Sequence, residues 1–99
     1  MYLDRYKDEI NNLCLKNKVK SLYAFGSVLN NRFTIDSDID LVVEIDSADP
    51  FDYADNYFNF KFALQDLLKR KIDLLENKAI KNQYIRKNID QSKKIIYAS

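Results

Sequence analysis

Residues 23–46 read YAFGSVLNNRFTIDSDIDLVVEID, and the placement of apolar and acidic residues in this stretch decides the fold. The apolar run Val19–Phe25 ends at Gly26, the only glycine of the chain, and reads as a short buried strand rich in aromatic and β-branched residues. In Ile39–Ile45 the residues alternate: Ile39, Leu41, Val43 and Ile45 share one face, while Asp38, Asp40, Val42 and Glu44 share the other. The first face is predicted to be core and the second largely acidic. Asp38 and Asp40, two apart on one strand, are therefore expected side by side.

Outward from this pair, Leu3, Tyr6, Ile10 and Leu13 recur at helical spacing and predict a helix over about residues 2–16. After the turn-rich Ser47–Pro50, the residues Tyr57, Phe60, Leu64, Leu67 and Leu68 predict a second helix over 53–68. The short run Lys71–Glu76, which contains Asp73, follows a Lys-Arg helix end and reads as a third strand. The tail from Asn77 to Ser99 carries Ala79, Ile80, Tyr84, Ile85 and Ile89 in a helical pattern and is predicted as a third helix without a defined end. Helices and strands in this order imply an α/β (α+β) fold, a small mixed sheet packed with helices. Ninety-nine residues with one glycine and one proline leave room for one core and no linker, so residues 1–99 are expected to form a single domain.

Composition removes several kinds of chemistry. There is no histidine, which excludes Ser-His-Asp and Cys-His catalysis and most transition-metal sites. Cys14 is the only cysteine, so an internal disulfide or cysteine zinc cluster is ruled out, and between Leu13 and Leu15 it reads as a packing residue. No apolar run reaches the roughly 20 residues of a membrane helix and no secretory leader is visible, so the expected location is the cytoplasm. Charge is uneven: residues 1–68 carry seven Lys/Arg against twelve Asp/Glu, and residues 69–99 carry nine against three, giving −5 and +6. The basic residues from Lys69 to Lys94, Arg70 among them, read first as a solvated face.

The remaining chemistry belongs to carboxylates and hydroxyls. Two carboxylates about 4 Å apart repel by roughly 1 kcal/mol in water and about 4 kcal/mol at an effective dielectric of 20, so a partly buried pair needs a proton, a basic partner or a divalent cation. An all-oxygen set with few protein ligands suits Mg²⁺, or Mn²⁺, completed by water and substrate phosphates. Asp73 would join the pair if its strand lies beside Ile39–Ile45, as ligand or as proton acceptor for an attacking hydroxyl. In a two-ion arrangement one ion activates that hydroxyl and the other steadies a triphosphate. Gly26, following a strand, lets backbone N–H groups approach phosphate oxygens, and Ser27 adds a hydroxyl donor.

Gly26-Ser27, ten residues, then Asp38-Ile39-Asp40 resembles the signature of the minimal nucleotidyltransferases, the MNT family of the DNA polymerase β superfamily. The stretch RKIDLLE, Arg70–Glu76, is similar to the strand that supplies the third acidic residue in that family. The resemblance implies a polymerase β-like palm fold that binds Mg²⁺ with ATP or another NTP and transfers a nucleotide monophosphate, AMP above all. By carry-over, Asp38, Asp40 and Asp73 would ligate the metals, and Gly26 and Ser27 would contact phosphates. It further implies an antitoxin whose partner is a HEPN-type toxin, modified on a tyrosine hydroxyl, in a homo- or hetero-oligomeric assembly.

One departure stands out. Where common members have an Arg-Gly pair this chain has Asn30-Asn31, and the following Arg32 is the candidate to supply the missing charge at the nucleotide. Two other readings accompany the enzyme. In one, a catalytically weak antitoxin neutralises its partner by complex formation alone; in the other, the basic tail serves an RNA acceptor. Asp36 and Glu44 fall outside the expected site, the first as a turn residue and the second as lying about 6.6 Å further along the strand.

Overall fold

The computed structural model describes all 99 residues. A 3-10 turn, Tyr2–Tyr6, leads into α1 (Lys7–Lys16). Strand β1 (Val19–Phe25) is followed by a second 3-10 turn, Gly26–Leu29, and then by β2 (Ile39–Ile45). Helix α2 (Pro50–Leu68) carries the chain to β3 (Ile72–Glu76), and α3 (Gln83–Ser92) to β4 (Lys94–Ala98). The strands form one mixed sheet in the order β3-β2-β1-β4. Strand β1 pairs antiparallel with β2 and β4, and β2 pairs parallel with β3. A parallel neighbour requires a crossover, and α2 is that crossover.

The alternation in β2 divides the sheet as expected. Ile39, Leu41, Val43 and Ile45 are buried with Leu22, Ala24, Ile72 and Leu74 against Ile10 and Cys14 of α1 and Phe60, Leu64 and Leu68 of α2. Burial pushes the Cys14 thiol up to about 12, as befits a packing residue. On the other face Val42 is also buried, so that side is less open than its acidic pattern suggests.

Both ends of α2 follow from local chemistry. Asp49 caps it by accepting from Phe51 N, Pro50 occupies the first turn, and Lys69 in the left-handed region, φ 53°, turns the chain into β3. The helix starts three residues earlier than its apolar spacing suggests because the cap, not the core stripe, sets the boundary.

The tail departs from expectation. Its helix spans only Gln83–Ser92, capped by Asn82 accepting from Tyr84 N and Ile85 N, and the end of the chain is a fourth strand. Lys93 takes extended geometry, φ −65° and ψ 147°, and Ile96 and Tyr97 pack on the core beside β1. The β-branched pair Ile95-Ile96 prefers this pairing to another helical turn. No helix is long and apolar enough to cross a membrane.

Candidate active site

Antiparallel pairing puts the end of β1 beside the start of β2, and parallel pairing puts the start of β3 there too. Phe25 lies opposite Asp40, and Asp40 lies in register with Asp73. Neighbouring strands are about 4.8 Å apart, so these two carboxylate-bearing residues are adjacent on the same side of the sheet. Asp38 immediately precedes β2, is exposed, and has Lys71 Nζ 4.0 Å from its Oδ2. The three predicted acids thus come to one end of the sheet.

Their electrostatics differ. Asp40 is half-buried, and its carboxyl is held above the usual carboxylate range by burial first, then by the negative charges of Asp73 and Asp38. Asp40 is therefore the residue at which a cation would relieve the largest strain of charge. Tyr57 ties the crossover helix to the strand that carries Asp73: its hydroxyl donates to Leu74 O, fastening α2 to β3. Burial, then Glu76 and Asp73, raise the Tyr57 pKa. In the sequence Tyr57 is only one member of an apolar stripe, and nothing there marks its hydroxyl.

Gly26 adopts φ +76°, and a Cβ built on it would stand 2.7 Å from Asp40 Oδ2. The one glycine of the chain therefore keeps open the space in front of the most strained carboxylate. Ser27 follows in the same 3-10 turn and is half-buried. The loop beyond, at Asn30-Asn31, is a local turn in which Arg32 N donates to Asn30 Oδ1 at 2.8 Å. Arg32 itself is exposed on this loop.

The residues suit a hard divalent cation by donor chemistry: only oxygen ligands, one carboxylate under strain, and a side-chain-free cradle before it. They do not form a closed cage, since no group of three or more acidic, histidine or cysteine side chains stands close enough to hold an ion. Magnesium fits an incomplete protein shell because it commonly keeps water and takes substrate phosphate oxygens.

The chain matches the nucleotidyltransferase domain family over residues 7–96. It is 45% identical over 76 residues to "Putative protein adenylyltransferase MJ0128" of Methanocaldococcus jannaschii, covering 77% of this chain and 74% of that one. Among solved structures, a "putative minimal nucleotidyltransferase" superposes with a TM-score of 0.76 at 22% identity, over 93% of this chain and 90% of the other. The MNT antitoxin complex with tri-AMPylated HEPN toxin of Shewanella oneidensis gives a TM-score of 0.67 at 19% identity, over 100% and 74%. At these identities the likeness of the structures is one of fold.

Proposed function

The chain belongs to the nucleotidyltransferase domain family, and from that premise we propose that it transfers AMP from ATP to a hydroxyl of a partner protein. The carrying observation is the convergence of Asp38, Asp40 and Asp73 at the sheet end faced by Gly26. The relative named as a protein adenylyltransferase supports AMP and a protein acceptor. The shared fold with an MNT antitoxin found with an AMPylated HEPN toxin supports a HEPN-type partner in a toxin–antitoxin pair.

Asp38, Asp40 and Asp73 would hold Mg²⁺ only together with water and substrate phosphate oxygens, and the ion would supply charge neutralisation at the phosphates and a more acidic attacking hydroxyl. The chain's own contribution is placement. Gly26, having no side chain, would let phosphate oxygens approach the backbone at the end of β1, and Ser27 would offer a hydroxyl donor beside them. Asp73, the more exposed of the in-register pair, would accept the proton of the incoming hydroxyl. The exposed Arg32 is free to meet a phosphate or base from the loop above.

Intact-mass measurement of a HEPN-type partner, incubated with this chain, Mg²⁺ and each NTP in turn, tests the reading. The expected result is an AMP-sized increment with ATP that disappears with Asp38→Asn/Asp40→Asn. A partner that stays unmodified while being bound and neutralised would replace transfer by complex formation.

A further inference from the structure

We infer that Arg70 is a positioning residue for the transfer reaction, clamping the loop that delivers Asp38 and Asp40 onto the segment that delivers Asp73. The inference rests on the reading of those three acids as the reactive site. Among the basic residues of the C-terminal part Arg70 looks like one more solvated cation, but the structure half-buries it. Its Nη1 donates to Thr34 O at 2.8 Å and to Ser37 O at 2.9 Å. Its guanidinium carbon lies 4.2 Å from the Phe33 ring centroid and 5.0 Å from that of Tyr2.

These contacts span the two halves of the site. Ser37 immediately precedes Asp38, and Arg70 stands three residues before Asp73. Residues 30–38 contain neither helix nor strand, so the backbone carrying Asp38 is held by a few turn hydrogen bonds and by side chains rather than by a ladder. Thr34 N donates to Ser37 Oγ at 3.0 Å and Ser37 N to Thr34 O at 3.1 Å, closing a turn whose carbonyls face Arg70. One residue further on, Ile39 N donates to Lys71 O at 3.1 Å and begins the β2–β3 ladder. Arg70 is the side-chain start of that ladder.

The choice of acceptor matters. A guanidinium bonded to Asp38 or Asp40 would neutralise a carboxylate and compete with a divalent cation; bonded to carbonyl oxygens, it fixes the loop and leaves the carboxylates charged. A flat fork held between two rings suits arginine, whereas lysine offers a single point charge. Tyr2, one of the two rings, lies outside the family-matched residues 7–96, and its hydroxyl donates to Leu68 O at 3.3 Å. One wall of the clamp is thus contributed by this chain's N-terminal turn.

The test uses the full chain with Arg70→Met and Arg70→Lys, reading amide hydrogen exchange over residues 34–40 and Mn²⁺ half-saturation by EPR titration. Arg70→Met should speed exchange over 34–40 and raise Mn²⁺ half-saturation about tenfold, the lower end of what loss of an outer-shell partner costs, with α1 and β1 unchanged. Arg70→Lys should move both in the same direction by less. Should Arg70→Met fail to fold, Arg70→Lys and Tyr2→Leu carry the same two readouts, the latter removing one ring and no bond of Arg70. Parental exchange over 34–40, or parental Mn²⁺ half-saturation, in folded variants overturns the inference. Asp38→Asn/Asp40→Asn in the same titration separates the two failures. Loss of Mn²⁺ binding there beside unaffected Arg70 variants removes the clamp alone; parental binding there removes the carboxylate reading and the clamp together.

Discussion

Asp40 and Gly26 are matched at the scale of single residues. Adding a methyl group at position 26 demands both a left-handed backbone from a residue with a Cβ, costing about 1–2 kcal/mol, and a shift of Asp40 to relieve a 2.7 Å contact. Gly26→Ala is expected to leave a folded chain, seen by circular dichroism, whose transfer rate falls at least about a hundredfold, since misplacing a reacting group by an ångström has that cost. Asp40 predicts a dependence on pH. Its folded-state pKa is raised, so its favourable contribution to stability is fully present below the unfolded value of about 3.9 and is lost as pH rises through the folded value. Without metal, Asp40→Asn should therefore melt above the parent at pH 7, and the gap should close near pH 3.5. Thermal scans in EDTA at the two pH values check this, and an equal gap at both would contradict the buried, like-charged environment. The same variant should lose more than the ten- to hundredfold in activity that an outer-shell change costs.

At the scale of the elements, α2 separates what was legible in the sequence from what was not. Its inner stripe, Phe60, Leu64 and Leu68, is visible in the periodicity and is buried as expected, while Phe51, Phe58 and Phe62 face solvent. Phe60→Ala should cost about 3–5 kcal/mol and Phe62→Ala within about 0.5 kcal/mol, as urea unfolding can resolve. Strands β1 and β2 were equally legible, because Val19–Phe25 and Ile39–Ile45 state their burial locally. Strand β4 was not: KIIYA becomes a strand by pairing with β1, 70 or more residues earlier, and no glycine or proline marks the end of the preceding helix. Asp38, Asp40 and Asp73 could be picked out by residue type and spacing, whereas Arg70 and Tyr57 could not. The roles of those two depend on carbonyl groups, which every residue has and no sequence pattern displays.

For the whole molecule, the sheet is closed on one side by that same C-terminal strand. Ile96 and Tyr97 cover part of the core, Ser99 N donates to Lys20 O at 3.0 Å, and Lys94 Nζ reaches Asp4 Oδ1 at 3.9 Å. A chain ending at Ser92 would leave β1 as a bare edge with an uncovered core, and is expected to aggregate or lose cooperative unfolding. Size-exclusion chromatography and thermal denaturation check that outcome. The ion pairs contribute little by comparison, being exposed, so added salt should barely move the melting temperature of the intact chain. The crossover through α2 has a separate consequence. It places Asp38 and Asp40 before the exposed Asp46–Asp49 connection and Asp73 after it, so a break there leaves neither piece with all three acids. Transfer by two such fragments would then report their reassembly, making the chain a natural candidate for a split-protein sensor whose signal is a covalent mark.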